Sequence, residues 1–231
     1  VQNITIAIDG FSSTGKSTVA KQLAKHLGYI YVDTGAMYRA VTLYTMQNGW
    51  IDKDQFDVDA LVSNLDKIVI SFTFNPELGF AEVYLNGVNI EREIRTLEVS
   101  SFVSKVAAIP EVRYQLVKQQ QKMGKDKGVV MDGRDIGTVV FPYAELKLFM
   151  TASADKRAIR RFDELIGRGD DVKYEDVLRN VKERDYIDSH REDSPLVQAE
   201  DAIAIDNSDL TLEQQFDTVL NLVNKTLEDL A

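Results

Sequence analysis

The sequence predicts an α/β fold, a P-loop parallel sheet with helices on both faces, carrying a small antiparallel insert and a helical lid. Three features predict it. Short, apolar, β-branched runs alternate with helix-length amphipathic segments, the signature of a sheet buried on both sides. A glycine-rich loop joins the first such run to the first helix. In the middle of the chain the alternation gives way to hairpin chemistry.

Residues 4–8, ITIAI, form the first apolar run, closed by Asp9-Gly10, and read as a buried strand. A helix is expected over Lys16–Leu27, with Val19, Ala20, Leu23, Ala24 and Leu27 on one face and Gly28 as its terminator. Tyr29–Val32 is a second strand, and a helix from about Ala36 to Asn48 stops at Gly49. Ile68–Phe74, Ala81–Leu85 and Val88–Ile90 then read as antiparallel strands, with Asn86-Gly87 as the turn. Residues from about 50 to 97 are therefore expected to be an insertion. Pro110 suits the first turn of a helix reaching about Met123. Gly128–Asp132 and Leu146–Met150 are further strands. Two charged helices follow at about 154–166 and 174–191, separated by Gly167 and Gly169. Ala202–Ile205 is the last strand, and a capping box over Thr211–Gln214 opens the C-terminal helix.

With 27 Lys and Arg against 37 Asp and Glu, the formal net charge is −10. An acidic body gains no counterion-release affinity for nucleic-acid polymers or anionic lipid. Any bound anion must be drawn by a local pocket. Cysteine is absent, which excludes disulfides and thiolate metal sites and favours a reducing, cytoplasmic setting. No run approaches the roughly 18 apolar residues of a membrane span. The opening residues run straight into a strand pattern, so no signal peptide is expected.

Gly10-Phe-Ser-Ser-Thr-Gly15-Lys16-Ser17 fits G-x-x-x-x-G-K-S/T at every fixed position. Such a loop turns successive backbone N–H groups toward phosphate oxygens, with the dipole of the following helix aimed at the same oxygens. The expected phosphate contacts are Gly10, Ser12, Ser13, Thr14, Gly15, Lys16, Ser17 and Thr18. Lys16 would reach the β- and γ-phosphates of a nucleoside triphosphate, and the Ser17 hydroxyl would ligate Mg²⁺. The run Val129–Met131 ends in Asp132, the expected second metal-positioning acid, and Arg134 follows where it can bind phosphate. Arg157, Arg160 and Arg161 share a helical face, with no acids four residues before Arg160 or Arg161. Arg184, Asp188 and Arg191 repeat the spacing. Clustered like charges repel unless an anion joins them, and a transferring phosphoryl group is such an anion. The glycines between these helices suit a hinged lid.

These motifs converge on a family. The chain resembles bacterial cytidylate kinases, of the nucleoside monophosphate kinase group. The resemblance rests on ITIAIDG with GKST, Asp33-Thr-Gly-Ala-Met-Tyr38-Arg39, Glu93-Ile-Arg95-Thr96 and the Ser104–Arg113 segment. Asp132-Gly-Arg-Asp-Ile-Gly-Thr-Val-Val-Phe-Pro142 and Lys182-Glu-Arg-Asp185 complete it, in the family's order along nearly the whole chain. Phe11 departs from it, since the family often has Pro there. The resemblance implies one cytidylate-kinase-like domain: a core of 1–49, 98–154 and 191–231, a monophosphate-binding insert near 50–97 and an ATP lid near 155–190. It implies transfer of the ATP γ-phosphate to CMP or dCMP. Arg39, Arg134 and Arg191 would hold the acceptor. Thr34, Tyr38, Ser104, Arg113 and Asp188 would line its pocket, Asp135 would accept from the ribose hydroxyls, and Arg184 would bridge acceptor and γ-phosphate. Lys16, Arg134, Arg157, Arg160, Arg161 and Arg184 would carry the chemistry. A monomer acting on ATP, CMP and dCMP with Mg²⁺ is expected. The rival readings are a P-loop kinase of another monophosphate or of an alcohol, a regulatory GTPase, and a nucleotide-holding module. The GTPase reading needs N-K-x-D, and Asn224-Lys225-Thr226-Leu227 lacks the acid.

Overall fold

The computed structural model describes residues 3–231, so Val1 and Gln2, the head of the segment read as leaderless, lie outside it. Five strands form one parallel sheet: β1 (Thr5–Gly10), β2 (Ile30–Asp33), β6 (Val129–Gly133), β7 (Leu146–Thr151) and β8 (Ile203–Asp206). Their order is β2-β6-β1-β7-β8, and every neighbouring pair is parallel. Parallel neighbours require crossovers, and helices supply them on both faces. Side chains alternate along β1. Ile6 and Ile8 pack with Val19, Leu23, Val219 and Val223 of α1 (Lys16–Leu27) and α8 (Leu212–Asp229). Ala7 joins the opposite core, built with α2 (Thr34–Gln47), α4 (Leu97–Ala107) and α5 (Pro110–Met123).

The local signals act as expected. The Gly28 N–H bonds the Ala24 carbonyl in a left-handed C-cap (φ 69°). Pro110 opens α5, and both hydrogen bonds of the Thr211–Gln214 capping box form. β3 (Ile70–Asn75), β4 (Phe80–Leu85) and β5 (Val88–Asn89) make the expected antiparallel sheet, turning at Asn86-Gly87. Its buried face, with Ile70, Val83 and Leu85, packs into the core shared with α2. The Lys21 ammonium of α1 lies 3.9 Å from the centre of the Phe80 ring, tying the hairpin to the core.

Three features depart from expectation. α2 starts at Thr34, earlier than Ala36, because the Asp33 carboxylate caps the Ala36 N–H at 2.9 Å. A short α3 (Val58–Val62) and a full α4, capped by Thr96, stand where no separate helices were placed. Residues Ile136–Val140 form a π-helical turn, a rare element that disturbs regular helical bonding. α6 (Ala154–Gly167) and α7 (Tyr174–His190) pair beyond the carboxyl ends of the strands. No described helix is long and apolar enough to cross a membrane.

Candidate active site

The carboxyl ends of β1, β2 and β6 carry Gly10, Asp33 and Gly133, and the phosphate-loop motif runs from the first of these into α1. The loop's carbonyls are tied from behind. Phe11 O accepts from Thr14 Oγ1 (3.1 Å) and from Lys16 Nζ (2.8 Å), and Ser12 O from Arg157 (3.3 Å). Thr14 O accepts from Asn207 Nδ2 (2.5 Å), and Gly15 O from Gln215 Nε2 (3.3 Å). Ser13, Thr14, Gly15, Lys16, Ser17 and Thr18 line a cleft of about 780 Å³. Gly10 and Ser12 are buried and do not line it. Burial holds the Lys16 ammonium well below its ordinary pKa, and the Arg134 charge adds to this.

Ser17 and Asp132 meet, the hydroxyl donating to Asp132 Oδ2 at 2.8 Å. Tyr31, unremarked in the sequence, donates to Oδ1 at 2.8 Å, and Thr34 Oγ1 bonds the Asp132 carbonyl at 2.7 Å. The Ser17–Asp132 pair offers hard oxygen donors, which suits Mg²⁺. Among the described residues no group of three or more His, Cys, Asp or Glu could cage a metal. The pair therefore suits an ion that takes its remaining oxygens from phosphates and water.

Beside this pair all ten residues assigned to the acceptor from the resemblance line one slot of about 40 Å³: Thr34, Tyr38, Arg39, Ser104, Arg113, Arg134, Asp135, Arg184, Asp188 and Arg191. Several partner one another. Arg134 Nε donates to Asp188 Oδ2 at 2.9 Å, and Asp135 receives the buried Arg113. Arg184 NH1 donates to Ser100 Oγ at 2.9 Å, and Arg191 chelates the Ser194 carbonyl at 2.9 and 2.7 Å. Arg39 NH1 and Arg184 Nε are buried with no hydrogen-bond partner among the described residues. Burial and the neighbouring Arg95 bring the Arg39 guanidinium down to about 10. Burial and Arg134 bring Arg184 down to about 9. The slot is crowded with cations, a condition that an entering anion relieves. Arg39 lines both the slot and the larger cleft, so it stands at their junction.

The three arginines of α6 separate. Arg160 and Arg161 line the cleft, whereas Arg157 is buried away from its lining. Arg157 forms a two-pronged bond with Asp185 of α7 (2.9 and 2.6 Å) and stacks 5.2 Å over the Phe11 ring. Arg160 donates to the Asn207 carbonyl at 2.5 Å. Arg161 donates to Glu164 and to the Arg95 carbonyl at 2.6 Å, and Arg168 donates to that same carbonyl at 2.9 Å. The cluster thus has two counter-charges: Asp185 on another helix, which helical spacing could not reveal, and Glu164, which the i,i+3 spacing from Arg161 does reveal although no acid stands four residues before the pair. Arg95, noted in sequence only within a motif, bonds Asp33 at 3.0 Å. Burial works against the Asp33 charge, yet Arg95 and Arg39 hold its carboxyl below the ordinary range.

Asp9 is a further residue that sequence reasoning passed over. Its carboxylate accepts from the N–H groups of Ile136 (2.8 Å) and Gly137 (2.7 Å), securing the π-helical turn that follows Arg134 and Asp135. Burial pushes this carboxyl up from 3.8 to about 7. Between about pH 4 and 7 the folded chain therefore keeps a proton that the unfolded chain releases, and this site's contribution to stability falls as pH rises through the window. Asp9→Asn removes the titration. The Tm of the variant minus that of the parent should then rise by on the order of 5 °C from pH 5 to pH 8. A difference independent of pH would contradict this assignment.

A family model described as Cytidylate kinase matches residues 6–225. The chain is 66% identical over 224 residues to the Cytidylate kinase of Flavobacterium psychrophilum, covering 97% of this chain and 99% of that one. It is 68% identical over 228 residues to the Cytidylate kinase of Flavobacterium johnsoniae, covering 99% of each. Against the protein of the same name from Bacteroides thetaiotaomicron it is 56% identical over 229 residues, covering 99% of this chain and 100% of that one. Among solved structures, a gluconokinase from Sinorhizobium meliloti 1021 superimposes with a TM-score of 0.53, covering 99% of this chain and 95% of that one. At 13% identity it shares the fold alone.

Proposed function

The chain belongs to the cytidylate kinase family, and from that premise we propose that it transfers the γ-phosphate of ATP to CMP or dCMP, giving ADP and CDP or dCDP. The observation that carries this reading is the junction at Arg39 between a phosphate-loop cleft and an arginine-lined slot. One space suits a donor triphosphate and the other an acceptor monophosphate.

The acceptor phosphate is an anion at neutral pH, so its oxygen attacks without a general base. The protein's task is alignment and charge neutralisation. Ser17 and Asp132 would hold Mg²⁺, whose chemistry is to neutralise the donor phosphates. Lys16 would bind the β- and γ-phosphates from the loop. Arg39, Arg134 and Arg191 would grip the acceptor phosphate, and Arg184 would face both anions. Thr34, Tyr38, Ser104, Arg113 and Asp188 would line the pocket for the cytosine and the phosphate, with Asp135 accepting from the ribose hydroxyls. Arg160 and Arg161 would meet the transferring group from the lid, while Arg157 serves through its bond to the loop carbonyl of Ser12. Residues of about 155–190 would close as that lid over a core of 1–49, 98–154 and 191–231, with the insert near 50–97 beside the acceptor. We propose a cytoplasmic monomer, working on free nucleotides and not on nucleic-acid polymers, in keeping with its net charge of −10.

The test is a panel of nucleoside monophosphates with ATP and Mg²⁺, read by product identity. CDP and dCDP should form at least about tenfold faster than ADP from AMP or UDP from UMP, because a slot built to bond one base leaves its polar groups unmatched by another. Transfer to AMP, UMP or an alcohol in preference to CMP and dCMP would overturn the assignment, as would ATP hydrolysis with no transfer product.

A further inference from the structure

Two buried amides from the far end of the chain hold the phosphate loop. Asn207, just after β8, is 3% exposed, and Gln215 on α8 is 0% exposed. Asn207 Nδ2 donates to Thr14 O at 2.5 Å and to Gln215 Oε1, while Gln215 Nε2 donates to Gly15 O at 3.3 Å. Packing is tight behind Gly15. A Cβ there would lie 2.6 Å from Gln215 Oε1 and 2.7 Å from Asn207 Nδ2, and the residue has φ 92°. The backbone of Asn207 is itself anchored, its N–H to Thr151 O at 2.7 Å and its carbonyl to Arg160 at 2.5 Å.

The direction of these bonds matters. In a trans peptide the C=O and the N–H of the same unit point opposite ways. Thr14 O shares its peptide with the Gly15 N–H, and Gly15 O with the Lys16 N–H. Asn207 draws the Thr14 carbonyl away from the cleft, which turns the Gly15 N–H toward it; the Gly15 carbonyl accepts the Val19 N–H of α1 at 3.2 Å as well as the Gln215 amide, so Gln215 reinforces a direction that the helix already gives. We propose that Asn207 and Gln215 are positioning residues for the donor nucleotide, a paired-amide clamp that sets the orientation of the Gly15 N–H and, together with the first turn of α1, steadies that of Lys16. The same Asn207 carries the bond to Arg160, so the clamp also registers the lid helix against the loop. This inference rests on the reading of the loop as the donor-phosphate site.

Two isosteric variants of the full chain test it. Asn207→Asp replaces a donor with an oxygen facing Thr14 O and Gln215 Oε1. Gln215→Glu keeps the acceptor for Asn207 and loses the donor to Gly15 O. A misdirected carbonyl and a lost buried bond should weaken binding of a non-hydrolysable ATP analogue at least about tenfold in calorimetry. The KM for ATP should rise in step, while CMP affinity stays within about twofold. Parent protein that fails to bind the analogue would sink the donor-site reading itself. Parent-like ATP affinity in both variants would sink the clamp alone. Equal losses of ATP and CMP affinity, accompanying a fall in Tm, would reduce both residues to structural supports and overturn the proposal.

Discussion

Lys16→Ala is expected to lower kcat by about 10²–10³-fold with the fold intact, the usual effect of deleting one preorganised group that meets developing charge. Lys16 is 6% exposed, and its ammonium donates to the Phe11 carbonyl at 2.8 Å, inside the phosphate loop. Burial and Arg134 both work against its charge. Its positive charge is thus costly to the folded protein, and truncation should leave Tm within a few degrees of the parent. Calorimetry should give CMP affinity close to the parent's, because Lys16 does not line the acceptor slot. A kcat within tenfold of the parent would refute its role.

Arg184→Met should produce the second large effect, a fall in kcat of about 10²–10³-fold. Arg184 is 9% exposed, with Nε unpartnered and NH1 on Ser100. Burial, Arg134 and Arg39 all oppose its charge, and Asp188 supports it. Replacing a crowded cation with a shorter, unbranched apolar chain relieves that repulsion. Activity should therefore collapse while Tm holds or rises, a combination that a packing defect does not give. Arg184→Lys should recover little, since a point charge does not reproduce a planar fork of donors. Turnover at the parent's level in Arg184→Met would remove this residue from the chemistry.

What the sequence disclosed was local. The span Lys16–Leu27, the Asn86-Gly87 turn, Pro110 and the Thr211 capping box each depend on residues a few positions apart, and each stands where the pattern put it. The resemblance named ten residues that do line a single slot, and general P-loop chemistry named the Ser17–Asp132 pair that does meet; their roles rest on the proposal above. What escaped has distant causes. The π-helical turn at Ile136–Val140 is held by Asp9, 127 residues earlier. Arg157 shares a helical face with Arg160 by spacing, yet its counter-ion is Asp185 on α7, so burial and pairing divide a cluster that periodicity had joined. Asn207 and Gln215 carry no motif, because their partners are backbone carbonyls 193 and 200 positions away. α4 lacks a capping box, since Val99 stands where a Glu or Gln would mark the start.

The Arg134–Asp188 bond inside so narrow a slot has a consequence for recognition. Asp188 holds only the Nε edge of that guanidinium, and NH1 turns to the Gly133 carbonyl. On the proposed reading, an acceptor phosphate would join this ion pair at the remaining edge and need not break it. The internal acid then works as a jig: it fixes the plane of the fork before any ligand arrives.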